Sequence, residues 1–321
     1  MSSPASVPAP TVHPIRLTSA HLRRIIGEPP GPITGILANL VLRRVALLGR
    51  TSRERLARFL GGLAYTLGIR RRVALENLAL ALPERSDAER HAIARGTYLT
   101  MARAVLEALA DNDRMPLDWE KEEVVGREAW LALQAHLSTG KGALLVTGHF
   151  GNWELLGEIL IHRGLPLNAL VRPLKGALNM RIAENRVRAG AGLIYPRGAV
   201  QETVDALQRG ESVYMLLDQA IPKKGVFVPF FGRLASTTPA MALAAQRTGV
   251  PAWVVMGVRD GPRMRVHIEG PFPAPSPQDG PEAITEHTAQ VTAGLERVIR
   301  QYPEQWLWLH RRWKFTPPPS T

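Results

Sequence analysis

The chain has 321 residues, 45% hydrophobic and 21% charged, which allows a sizeable core in one large domain or two modest ones and excludes a disordered chain. Lys and Arg total 40 against 28 Asp and Glu, a net charge of +12, and the pI near 10.7 points to anionic partners: nucleic acid, anionic lipid headgroups or an acidic carrier protein. Cysteine is absent, so a disulfide framework, a thiolate metal site and a cysteine nucleophile are excluded. Aromatic residues make up only 6% with no stacking or groove-reading motif, which sets nucleic acid aside as a partner.

Residues 1–30 are rich in Pro and Ser without periodicity and read as a flexible arm, with no basic and apolar leader pattern. Residues 31–112 read as a helical region. Within it the apolar run 33–42 stops at Arg43-Arg44, and the run 59–69 closes on Arg70, Arg71 and Arg72. Neither reaches the roughly 18 apolar residues of a spanning helix. Both suit amphipathic helices lying in a membrane interface; the alternative is core-facing helices with a solvated arginine face. Residues 72–83 form a further helix with a proline stop, and Ser86 with Glu89 forms a capping box that starts another, running towards 109.

After about residue 140 short apolar runs predict buried strands at 143–147, 167–171, 192–195, 213–217 and 252–258. Helical spacing predicts helices at 153–161, 177–188, 199–207, 239–247 and 282–300. This alternation implies βαβ units: an α/β fold with a mainly parallel central sheet flanked by helices. The expected division is a helical membrane-associating region at 31–112, a catalytic α/β domain at 113–314 and a flexible tail at 315–321. In such sheets chemistry gathers at the carboxyl ends of strands.

Gly148-His149-Phe150-Gly151-Asn152-Trp153-Glu154 follows the first strong strand. A histidine in a turn at a strand end is poised to take a proton from a hydroxyl. Glu154 lies five positions on, about 140° away within one continuous helix. The two meet only if His149 sits in the turn and Glu154 in the first helical turn, where the carboxylate would fix the imidazole tautomer. An ordinary core histidine beside a surface glutamate is the competing reading. A zinc site is unsupported, since no other histidine stands four positions from His149, and no G-x-S-x-G elbow is present.

The segment Thr147–Leu155 resembles the His-x4-acid block of the late lipid A biosynthesis acyltransferases, the lauroyl/myristoyl transferase family within the glycerolipid-acyltransferase-like lysophospholipid acyltransferases. Arg71-Arg-Val-Ala-Leu-Glu-Asn-Leu78 resembles that family's amino-terminal helix. Leu217-Asp218-Gln219 with Val226–Gly232 and Ala235–Ala240 resembles its central block, and Tyr302–Lys314 its carboxyl-terminal signature. The blocks cover roughly residues 55–314. The resemblance implies a glycerolipid-acyltransferase-like fold at the cytoplasmic face of a bacterial inner membrane. It also implies acyl-carrier protein or acyl-CoA as donor, a lipid A precursor or similar glycolipid as acceptor, and no cofactor or metal. The family's usual spanning segment is broken here by charges, so peripheral attachment or a weak amino-terminal anchor is expected.

An activated thioester needs only a deprotonated acceptor, two held substrates and a stabilised oxyanion. His149 is the expected base and Glu154 its orienting carboxylate. Asn152, Arg172, Asp218, Gln219 and Arg311 are the expected substrate-binding residues, with Arg172 and Asp218-Gln219 each following a strand. Phe227, Phe230 and Phe231 could line an acyl groove or sit in the core, and His310-Arg311-Arg312 could hold anionic headgroups or face solvent. Another glycolipid or lysolipid acceptor, and a non-catalytic lipid-binding protein, are the alternatives.

Overall fold

The computed structural model describes residues 40–110, 123–171, 177–195, 198–261 and 263–317. After a helical segment at 40–46 come α1 (Arg50–Thr66), α2 (Arg71–Ala81) and α3 (Asp87–Ala108). The capping box is in place: Ser86 Oγ accepts from the Glu89 amide at 3.3 Å, and the Ser86 amide donates back to Glu89 Oε2 at 2.7 Å.

Strands and helices then alternate: β1 (Val124–Val125), α4 (Arg127–Leu137), β2 (Leu144–Thr147), α5 (Trp153–His162), β3 (Leu167–Leu170), α6 (Ala177–Arg188), β4 (Gly192–Ile194), α7 (Ala199–Gln208) and β5 (Ser212–Leu216). A hairpin of β6 (Val226–Phe230) and β7 (Arg233–Thr237) follows, then α8 (Ala240–Thr248), β8 (Ala252–Asp260), β9 (Arg263–Phe272), α9 (Pro281–Gln301) and a 3-10 turn at Pro303–Gln305.

Seven strands form one sheet in the order β1-β9-β8-β2-β5-β3-β4. The five strands from β8 to β4 are parallel, as the alternation of elements predicts. β9 is antiparallel to β8, because the short turn joining them folds the chain straight back, and β1 runs with β9. These two strands and the β6–β7 hairpin were not expected. β9 alternates buried Met264, Val266 and Ile268 with Arg263, Arg265 and Glu269, so it lacks the continuous apolar run that marks its neighbours.

The central strands are covered on both faces. Leu144 and Val146 of β2, with Val254 and Met256 of β8, pack into a core shared with α1–α3, α7–α9 and Trp306 and Trp308. Ala143, Leu145, Trp253 and Val255 point the other way, onto α4 and α5. Successive side chains of a strand alternate faces, so each run supplies two cores. The helical layer joins the same packing: buried Asn77 on α2 donates to the Trp308 and His310 carbonyls at 2.7 and 2.6 Å.

Among the described residues no helix is long and apolar enough to cross a membrane. The arm at 1–30, the apolar positions 33–39 and the tail from 318 lie outside them.

Candidate active site

β2 and β5 are neighbours with Thr147 opposite Leu216. Two residues further on, both chains leave the sheet at the same edge, which brings His149 and Asp218 together. The Asp218 carboxylate takes three hydrogen bonds: from His149 Nδ1 to Oδ1 at 2.9 Å, from the His149 amide to Oδ2 at 2.7 Å, and from the Trp306 indole to Oδ2 at 2.9 Å. Burial alone would raise the Asp218 pKa, but the imidazole and these donors hold it down at about 2. The group is therefore a carboxylate at neutral pH. With Nδ1–H given to Asp218, the lone pair of His149 stands on Nε2, where the Gln219 side-chain amide donates to it at 3.3 Å.

The turn is fixed from several sides. Gly151 has φ +54, and a Cβ there would lie 2.1 Å from the Gly257 carbonyl, so only glycine fits. Its amide donates to the Gln305 carbonyl at 2.8 Å, and the Leu307 amide donates to the His149 carbonyl at 3.0 Å. The carboxyl-terminal segment thus clamps the turn and supplies Trp306. The Trp153 ring lies edge-on to the imidazole, 5.0 Å between centroids.

Glu154 does not reach His149, contrary to expectation. It accepts from Arg186 Nε and Nη2 at 2.7 and 2.5 Å and from Trp153 Nε1 at 2.9 Å. The physical reason is rotation: Glu154 stands in the first turn of α5, on the face towards α6, while His149 turns to the β5 edge. Asn152, expected to bind substrate, is also corrected. It is buried, caps α5 by accepting from the Leu155 amide at 3.0 Å, and donates to Glu107 Oε2 at 2.8 Å. Glu107 in turn holds Arg259.

The aromatic groove reading fails for Phe230 and Phe231. Both are buried in a cluster with Trp306, Trp308 and Trp313, which makes them core. Arg311 is exposed. Its neighbour Arg312 is the buried residue, donating to the Ser236 carbonyl and Thr237 Oγ1 at 2.8 and 2.6 Å, and so tying the tail to β7. His310 Nε2 accepts from the Ala220 amide at 3.2 Å, and burial pulls its pKa down to about 4. Arg172 lies outside the described residues.

A cleft opens beside Trp153, between α5, α6 and the ends of β3 and β5. Trp153, Glu154, Gly157, Glu158 and Ile161 form one wall; Ala169, Val171, Tyr214 and Leu216 are among the residues opposite. Arg186 and the cleft were not legible in the sequence, because which helix faces which depends on strand order. Among the described residues no cluster of three or more His, Cys, Asp or Glu could hold a metal ion.

A buried carboxylate bonded to one imidazole nitrogen, with the lone pair on the other, gives an arrangement equipped to deprotonate a hydroxyl that displaces the Gln219 amide. The comparisons with known proteins agree on the class of chemistry. The profile of the family described as bacterial lipid A biosynthesis acyltransferase matches residues 30–315. The lipid A biosynthesis lauroyltransferase of Escherichia coli is 30% identical over 268 residues, 80% of this chain and 84% of that protein. The lipid A biosynthesis palmitoleoyltransferase of the same organism is 27% identical over 256 residues, 77% and 80% of the two chains. A phosphatidylinositol mannoside acyltransferase of Mycolicibacterium smegmatis is 26% identical over 191 residues, 57% and 59%. With nearly its whole described length inside the family profile, this chain belongs to the bacterial lipid A biosynthesis acyltransferases.

Proposed function

We propose that the protein moves a fatty acyl group from a thioester, on acyl-carrier protein or CoA, to a hydroxyl of a lipid A precursor or similar glycolipid. His149 acts as base and Asp218 orients it. The single observation that carries this reading is the bond from His149 Nδ1 to the buried Asp218 carboxylate, which leaves the lone pair on Nε2.

The acceptor hydroxyl takes the place of the Gln219 amide at Nε2 and passes its proton there. The oxygen attacks the thioester carbonyl and an oxyanion forms. Collapse breaks the carbon–sulfur bond, and the imidazolium returns its proton to the leaving thiolate. The adjacent Asp218 carboxylate stabilises the imidazolium in between. Gln219 keeps a substrate-binding role in this scheme. Glu154 is read as a support: with Arg186 it holds the Trp153 indole against the imidazole.

The helical layer is read as the membrane-facing region. α1 buries Ala57 and Gly61 and exposes Phe59 and Leu63, at 63% and 42%. A helix that only faced a protein core would bury its large apolar residues. Leu67 and Ile69 extend the exposed apolar strip, and Arg50, Arg55, Arg58 and Arg70 rim it, a pattern that suits an interfacial helix on anionic lipid.

The test is to incubate purified protein with carrier-protein and CoA thioesters and with lipid A precursor, phosphatidylinositol mannoside and lysophospholipid acceptors. Acylation of the lipid A precursor supports the reading. Acylation of only another acceptor replaces its substrate, and binding without transfer to any acceptor overturns it. The mannoside acceptor is included because one relative carries that name.

A further inference from the structure

Glu107 stands in the last turn of α3, where its carboxylate faces the negative end of the helix dipole and no basic residue of that turn offsets it. Its hydrogen-bond partners lie outside the helix. Oε2 accepts from Asn152 Nδ2 at 2.8 Å and from Arg259 Nη2. Buried Arg53 on α1 lies within reach of the same charge.

Both donors belong to the frame of the turn that carries His149. Asn152 is three residues beyond His149 and caps α5, its Oδ1 accepting from the Leu155 amide at 3.0 Å. Arg259 is the last residue but one of β8. Its amide donates to Gln305 Oε1 at 2.8 Å, and its carbonyl accepts from Gln305 Nε2 at 3.0 Å. The Gln305 carbonyl accepts in turn from the amide of Gly151, the neighbour of Asn152, at 2.8 Å. A closed circuit results: Glu107, Asn152, Gly151, Gln305, Arg259 and back to Glu107. It joins α3, the start of α5, the end of β8 and the carboxyl-terminal segment around the turn.

Within this circuit Glu107 sets the direction of the bonds. A side-chain amide can turn over and present oxygen or nitrogen to either neighbour, whereas a carboxylate only accepts. Glu107 therefore draws Asn152 Nδ2 to itself and leaves Oδ1 for the Leu155 amide. A guanidinium only donates, so Arg259 is held by the same rule. Asn152 and Gln305 are buried, and the Glu107 and Arg259 side chains largely so, which makes each lost bond costly to replace.

We propose that Glu107 is a positioning residue for the transfer. By orienting the Asn152 amide and anchoring Arg259 it fixes the path of the turn, and with it the direction of the His149 imidazole. The inference rests on the acyl-transfer reading above, since it concerns the same base. Glu107 bonds to neither His149 nor Asp218 and acts through the turn. A misplacement of about 1 Å at a reacting group costs on the order of a hundredfold in rate.

Glu107→Ala, Glu107→Gln and Asn152→Ala test it, with Arg103→Met as the control. Arg103 lies on the same helix but pairs with Glu54 on α1 rather than with the circuit. The readouts are kcat and KM well below each unfolding midpoint, and exchange of the His149 Nδ1–H followed by NMR. In Glu107→Ala kcat should fall about ten- to hundredfold while KM for donor and acceptor stays within about twofold. The Nδ1–H should lose protection. Glu107→Gln keeps an oxygen for Asn152, so it should lose less, and it keeps the test alive if Glu107→Ala folds poorly. Glu107→Ala combined with Asn152→Ala should be little worse than the poorer single variant, because both open one circuit. Arg103→Met should melt lower than wild type yet keep its kcat. Unchanged kcat in folded Glu107→Ala overturns the proposal, as does an equal loss of kcat in Arg103→Met. A rise in KM alone also overturns it, assigning Glu107 to a substrate. Wild-type protein that transfers to no acceptor brings down the function reading itself, a result distinct from active wild type beside an equally active Glu107→Ala.

Discussion

Two regions of this molecule invert the usual rule that apolar groups go inside and polar groups outside. At the edge of β2 and β5, a buried carboxylate and a buried indole N–H meet a half-buried imidazole. On α1 and the segment before it, Leu40, Val41, Leu47, Phe59 and Leu67 stand in the open, the last at 67%. The first region costs desolvation and is kept because every polar atom of Asp218 is satisfied. The second exposes apolar surface that a neighbouring phase can cover. In the proposed function the contrast separates two jobs, proton transfer and attachment, and removing one should leave the other.

The sharpest break is at the His149–Asp218 pair. His149→Ala should lower transfer by about 10²- to 10⁴-fold, the usual worth of a general base. Asp218→Asn should fall in the same range, since an amide no longer enforces the Nδ1–H tautomer. Both should still bind anionic vesicles like wild type; acylation rates and vesicle co-sedimentation on one preparation check this. The reverse break is Phe59→Glu with Leu67→Glu. Vesicle binding should drop about tenfold or more and become still weaker in high salt, while turnover of detergent-dispersed substrate stays within about twofold, well under the effect of losing the base.

Smaller effects sharpen the active-site half. Glu154→Gln should reduce transfer by only severalfold, because it acts through Trp153. It should also lower thermal stability, since Arg186 loses its charged partner and a charge-assisted bond contributes about 1.5–3 kcal/mol. A pH series separates the buried groups. Burial holds the folded His310 pKa near 4 against an ordinary 6.5, so between those values the unfolded chain binds the extra proton. Stability from this group is complete above about 6.5 and declines as pH falls towards 4. His267 and His287, also lowered by burial, act in the same direction. Asp218 contributes in a lower window, its stabilisation fading as pH falls from its unfolded 3.8 towards 2. Denaturation midpoints at pH 7, 5.5 and 4.5 should descend, and His310→Gln should flatten part of the upper slope.

The parallel half of the sheet was legible because strands buried on both faces read as short apolar runs between glycines and turns, as at Leu144–Thr147. β9 was not, because its arginines alternate with its apolar residues. His149 was legible as a polar residue at a strand end. Its partner was misread because spacing along the chain favoured Glu154, whereas the bond depends on β2 and β5 being neighbours. Local sequence reports which strand end a residue occupies; it does not report strand order. Asp218, expected to bind substrate because it too follows a strand, is the imidazole's partner. Trp306 was missed altogether, since it arrives from 88 residues beyond Asp218.

The most direct test of the Asp218 assignment is the imidazole NMR spectrum of ¹⁵N-histidine-labelled protein, with His149 identified by its loss in His149→Ala. The account predicts a downfield, exchange-protected Nδ1–H for His149 that disappears in Asp218→Asn and persists in Glu154→Gln. A proton that vanishes in Glu154→Gln and survives in Asp218→Asn would contradict it.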